Sequence, residues 1–150
     1  MFRSDAIAED MATLMDVLDS ECRLVAELGA ILRRQREGVT ADDLQLVNDK
    51  VYAAHRVMET LREAQRWRRT LVGLLTGCET TSLADLEDRV HGLRLAPALA
   101  ERRARVGRAV RALAREIGIN KKVLDGVLEH GATPSRCLTV IEPKSEEGTC

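Results

Sequence analysis

Three long stretches of the chain carry apolar residues at alternating steps of three and four, the spacing that lines one edge of an α-helix. In the first, Ile7, Met11, Leu14, Leu18, Val25, Leu28 and Leu32 follow the rule, with Glu21 as the polar interruption. In the second, the stripe runs through Leu44, Val47, Val51, Ala54, Met58 and Leu61. It resumes with Ala64, Leu71 and Leu75 after a shift of one position around the helix. In the third, Leu99, Val106, Val110, Leu113, Ile117, Asn120, Leu124 and Val127 share a stripe, with Leu128 alongside. Arg105, Arg108, Arg111, Arg115 and Lys122 fall on the opposite arc of this last segment. Edges of this kind are built to lie along other helices, so the chain is first of all a packing device.

Punctuation sets the boundaries. Ser4 offers a cap ahead of the early acids Asp5, Glu9 and Asp10, which suit the positive end of a helix dipole, and Gly38 ends the segment. Thr40, with Asp43 three residues later, predicts a capping box for the second helix, which stops at Gly77. Ser82 and Asp85 form a second capping pair ahead of Leu83, Leu86, Val90 and Leu93, and Pro97 interrupts that short helix. The expected fold is all-α and a single domain: helices over 4–37 and 40–76 as a long antiparallel hairpin, a short helix over 82–95, and a long C-terminal amphipathic helix over 98–130. The apolar patch 137–141 would dock back as a turn or strand, and the polar end 142–150 would be disordered.

Folding the hairpin about Gly38 brings Glu9, Asp10 and Asp16 beside Arg62, Arg66, Arg68 and Arg69. The same fold sets Glu21 across from about His55 or Arg56. Either that pair forms or Glu21 turns to solvent, because an unpaired buried carboxylate is costly. Gly107, Gly118 and Gly126 each weaken the last helix by about 0.5–1 kcal/mol relative to alanine. That helix therefore needs a partner, and the segment after Pro97 should be the least protected part of the free protein.

Composition narrows the function by exclusion. At 150 residues with a formal net charge of −1, nothing global attracts a polyanion. The basic run from Arg102 to Lys122 could suit nucleic acid, but it has no aromatic residue for stacking, and the acidic first helix would repel phosphate. Cys22, Cys78, Cys137 and Cys150 form no CxxC pair and are expected as free thiols. His55, His91 and His130 stand apart, with no carboxylate at catalytic or metal spacing and no glycine-rich phosphate loop. Neither enzyme activity nor a metal or other cofactor is expected. The N-terminus has neither a signal peptide nor a membrane span, which points to the cytoplasm. An apolar helical stripe open to an incoming helix, or an unrelated coiled-coil scaffold or adaptor, remains.

The order of features resembles the flagellar type III export chaperones of the FlgN family. The resemblance rests on Leu14, Leu18 and Glu21 in the first helix and on Asp42-Asp43 and Lys50 at the start of the second. It continues through Arg66, Arg68 and Arg69 running into Leu74, Leu75 and Gly77, then Ser82-Leu83, and Asn120, Leu124 and Leu128 in the last helix. It covers roughly residues 10 to 130. It implies a cytoplasmic chaperone that binds the C-terminal helices of hook-filament junction proteins, prevents premature assembly and delivers them to the export gate. It also implies that the last helix meets the substrate, through Val110, Leu113, Ile117, Asn120, Leu124 and Leu128. Asn120 either fixes the register of helix pairing or is tolerated at the edge of the seam. The family's late tyrosine, tied to gate contact, has no counterpart, since the single tyrosine is Tyr52. A long exposed seam can also satisfy itself in a homodimer.

Overall fold

The computed structural model describes the backbone of residues 2–146 and the side chains of residues 4–129. Four helices and no strand occupy the described residues: α1 (Phe2–Thr40), α2 (Leu44–Thr76), α3 (Leu83–Arg89) and α4 (Ala96–Glu146). The fold is all-α. The long helices pack on one another, α2 antiparallel to α1 and α4 on a second side of α1, while the backbones of α2 and α4 stay apart.

The turn between α1 and α2 lies beyond Gly38. Helix α1 runs on to Thr40, and Asp42 takes a left-handed conformation (φ 53°) to reverse the chain. Asp43, not Thr40, caps α2: its carboxylate accepts a hydrogen bond from the Leu46 N–H at 3.0 Å. The hydroxyl of Thr40 instead accompanies α1, donating to the carbonyls of Arg36 and Glu37. An aspartate is as good a cap as threonine, and here it stands one residue before the helix while Thr40 stands four before. Gly38 is buried because α2 crosses close by. A Cβ there would come within 3.1 Å of Val47 Cγ2 and 3.3 Å of the Val47 backbone nitrogen. The glycine marks a close approach of two helices and not a helix stop.

Moving the fold point from Gly38 to about Asp42 changes which residues face one another. Helix α2 meets α1 through Val47, Lys50, Ala54, Val57, Leu61, Ala64, Arg68, Leu71 and Leu75, all buried or half-buried. This is one uninterrupted heptad. The one-position shift read in the sequence disappears, and Arg68 occupies a seam position. Leu44 and Val51, placed on the seam by the sequence, stand on its flank, exposed by 77% and 36%.

Helix α2 stops at Thr76 before Gly77, as expected, whereas the end of α3 and the end of α4 move by a turn or more. Ser82 caps α3 as expected, its hydroxyl accepting from the Asp85 N–H at 3.0 Å, but α3 ends at Arg89, short of 95. Helix α4 begins at Ala96 with Pro97 inside its first turn, where the missing N–H removes no helical bond. It continues past 130 to Glu146, so 137–141 and 142–146 are helical and not strand or disordered. Gly131 and Pro134 lower helix stability without forbidding helix. Residues 147–150 lie outside the described residues.

One core sits where all four helices meet. Met11, Leu14 and Leu18 of α1, Leu71 and Val72 of α2, Leu86 of α3 and Leu99 of α4 are almost fully buried there, with Val90 just after α3. A smaller cluster, Leu28, Ile31 and Val57, holds the middle of the hairpin and touches Leu113. The start of α4 is thus a settled core element, contrary to the even looseness expected after Pro97. Hydrogen exchange should show a gradient along α4, slow near Leu99 and rapid beyond Asn120. Uniform protection over 99–128 would contradict it. Gly118 sits on an open face where an added Cβ would meet no atom within 4 Å. Glycine there answers no packing need and only weakens the helix, by the cost of its extra backbone freedom.

Candidate functional site

Helix α4 lies parallel to α1 and meets it through Leu99, Arg102, Val106, Ala109, Leu113, Glu116, Asn120 and Val123, a second strict heptad. Three of its positions are polar, and each finds a partner on α1. Arg102 Nε pairs with Asp19 Oδ2 at 3.1 Å, and Arg105 beside it reaches Asp19 Oδ1 at 3.7 Å. Further along, Arg36 Nη1 donates to Glu116 Oε2 and to Asn120 Oδ1, both at 2.8 Å, while Arg33 Nη1 stands 3.4 Å from Glu116 Oε1. Asn120 Nδ2 donates to the Leu32 carbonyl at 2.9 Å.

This clasp settles the role of Asn120. It is 9% exposed and has both ends of its amide bonded to α1. A one-residue slip of α4 would separate the amide from both partners and bury it unpaired. Asn120 fixes the register of α4 on α1. Asn120→Ala should cost about 1–2 kcal/mol, and urea denaturation would measure it. The hydrogen bond from Arg36, more than any other influence, holds the Glu116 carboxyl below its ordinary value of 4.5. A lowered folded-state value means stability that is present above 4.5 and lost as pH falls towards the folded value. Acidification below 4.5 should therefore free the distal part of α4, seen as faster exchange of its amides, and Glu116→Gln should remove that dependence.

The six residues expected to bind substrate separate into two groups. Leu113 is half-buried against the Leu28 cluster, and Asn120 is in the clasp. Val110, Ile117, Leu124 and Leu128 are exposed by 49%, 52%, 45% and 73%. Val110, Ile117 and Leu124 recur every seven residues and form one row beside the α1 seam. Arg33, Arg36, Glu116, Asp19 and Arg102 were not singled out by the sequence. The signal was present, since the heptad begun at Leu99 carries Arg102 and Glu116 onto the seam. Arg105, placed on the solvated arc, is drawn to α1 by Asp19.

The buried Glu21 also has a partner other than the expected one. Its carboxylate lies 2.8 Å from Arg68 Nε, not near His55 or Arg56, which are exposed. Shifting the fold point by four residues carries the opposite position eight residues along α2. Long helical side chains lean one turn towards the N-terminus, which accounts for the remaining distance to Arg68. Burial, the dominant influence, raises the Glu21 pKa above 4.5 against the opposing pull of Arg68.

Among the described residues no cluster of His, Cys, Asp and Glu could hold a metal ion, and no helix is long and apolar enough to cross a membrane. Cys22 and Cys78 are free thiols. His130, Cys137 and Cys150 lie outside the described side chains. No protein-family model, no curated protein and no solved structure matches the chain.

Proposed function

We propose that the protein is a flagellar type III export chaperone of the FlgN kind, which holds the C-terminal helices of hook-filament junction proteins in the cytoplasm until they are exported. The observation that carries this reading is the row of Val110, Ile117 and Leu124 on α4, large apolar side chains at one-heptad spacing that remain about half exposed. A monomer gains nothing from such a row, whereas an incoming amphipathic helix gains a matching stripe to bury. The residues that resemble the family supply the identity of the guest, and the export gate is the next partner in that sequence of events.

The test is binding of a peptide covering the C-terminal helix of a hook-filament junction protein, followed by calorimetry on the full chain. Micromolar affinity, about −8 kcal/mol, is expected. Arg108→Gln with Arg111→Gln, on the exposed arc, should change it little, since solvated charges contribute weakly. If junction-protein peptides do not bind, the scaffold or adaptor reading takes the lead. If the arginine variant alone loses binding, the contact is electrostatic and not helix-in-groove.

A further inference from the structure

The apolar row on α4 has a counterpart on α2. Leu44, Val51, Met58, Gln65 and Val72 also recur every seven residues, running from exposed at Leu44 to buried at Val72. Val72 fixes which way this row faces. It is buried with Leu86, Val90 and Leu99, in the core shared with α3 and the start of α4, so the row lies on the side of the hairpin that carries α4. The other flank of α2, with Ala53 and Thr60, opens on the far side beside Leu24 and Glu27 of α1, and the exposed Trp67 continues that flank one heptad on.

On α4, Leu124 stands against Gln35 and Val39, which continue the stripe that α1 turns towards α2. The α4 row therefore also faces inwards. Because α2 and α4 each pack on α1 and make no backbone contact with each other, the two rows border a shallow groove along α1, above residues such as Val25 and Leu28 that the three helices together keep buried. Leu113 and Val57 share one cluster, and the two helices run in opposite directions. Seven residues forward on α4, from Ile117 to Leu124, thus correspond to seven back on α2, from Met58 to Val51.

The rim of the groove carries one sign of charge. The positions four residues beyond the members of each row stand just outside it on the helix surface. On α2 they include His55, Arg62 and Arg69, on α4 Lys121, and none of them on either helix is acidic. Arg62, Arg69 and Lys121 are exposed and form no ion pair among the described residues.

We propose that this groove, and not α4 alone, is the binding site, and that it takes one amphipathic helix of a partner protein whose apolar stripe is flanked by carboxylates. The guest would complete a four-helix bundle. From Val110 to Leu124 the wall extends about 21 Å at 1.5 Å per residue, which accommodates about four turns of guest. A second copy of this chain is a poor occupant. Two of its acid-rich stretches, the start of α1 and 79–88, already bury their apolar members, Met11, Leu14, Leu18 and Leu86, in the core. The identity of the partner rests on the export-chaperone reading, but the groove and the chemistry it selects do not.

The experiment uses the full chain and three probes: the junction-protein peptide, a designed 18-residue helix with a leucine stripe flanked by glutamates, and its twin flanked by lysines. At low salt the glutamate helix should bind at least about tenfold more tightly than the lysine twin, as complementary charge requires. Val51→Glu should weaken it about tenfold or more. Arg62→Glu with Lys121→Glu should weaken the glutamate helix and strengthen the lysine twin. Trp67→Ala, on the far flank, should leave binding unchanged, and circular dichroism would verify that every variant keeps its helices.

Failure of the glutamate helix to bind would overturn the proposal, as would unchanged binding in the Val51 and rim variants or loss of binding in Trp67→Ala. So would a wild-type dimer in sedimentation equilibrium that Val51→Glu dissociates, since a second copy would then fill the groove. Binding of the glutamate helix as expected, with no binding of the junction-protein peptide, supports the groove while rejecting the export reading.

Discussion

Replacing Arg68 by methionine should destabilise the protein by about 3 kcal/mol, the cost of leaving a buried charge without its partner. Glu21 is 2% exposed, and its carboxylate has Arg68 Nε at 2.8 Å as its only ionic neighbour among the described residues. Removing the guanidinium leaves two outcomes for the carboxyl: to remain ionised in an apolar seam or to take up a proton. The pH dependence separates them. The Glu21 value is already raised above 4.5 by burial, and removing Arg68 removes the influence that lowers it. Between 4.5 and the raised folded-state value the folded protein holds a proton that the unfolded chain has lost. Stability of Arg68→Met should therefore rise as pH falls through that window and decline as pH rises. The double variant Glu21→Leu with Arg68→Met should recover wild-type stability or exceed it, because two apolar residues in one seam need no desolvation offset. Thermal melts of the wild type and both variants across pH would decide this. A single variant as stable as wild type at neutral pH would mean that Glu21 reaches solvent.

The second large effect concerns residues that one apolar stripe groups together and the fold separates. Leu113→Asp should lower stability by at least about 2 kcal/mol, because it places a charge where a half-buried leucine packs against Leu28 and its neighbours. Ile117→Asp with Leu124→Asp should leave stability within about 1 kcal/mol of wild type, since both side chains are close to half exposed. The effects on binding should run the other way. Burying an apolar side chain of this size against the guest is worth roughly 1.5–3 kcal/mol, so the double variant should bind a junction-protein peptide at least about 100-fold more weakly while staying folded. Urea melts and calorimetry on the same samples would check both halves. Intact binding in a folded Ile117→Asp, Leu124→Asp variant would remove the row from the binding site.

The clasp and the seam pair explain why polar residues occupy a heptad at all. Asn120, Glu116 and Arg102 on α4, and Glu21 and Arg68 on the hairpin, interrupt seams that would pack more simply with leucine. Each meets an oppositely charged or hydrogen-bonding partner in the observed register. With three aromatic residues in the chain and long uniform stripes of leucine and valine, alternative alignments would otherwise cost little. The polar contacts select among them.

Helix content, the antiparallel hairpin and the cap at Ser82 were legible in the chain, because apolar periodicity and capping chemistry are local properties that act over three to seven residues. The sequence also held the two heptads that contain Arg68 and Glu116, but reading the stripes by hydrophobicity alone passed over charged members of a seam. What depended on tertiary structure was every relation between helices. The turn falls beyond Gly38 because that glycine is needed for the close crossing of Val47, a contact no local rule reports. The displaced turn, doubled across the hairpin, decided that Glu21 meets Arg68. The division of α4 into residues that face α1 and residues that remain open followed from the same cause: a single helix wheel gives an apolar arc, and only the position of the neighbouring helices determines which part of the arc they cover.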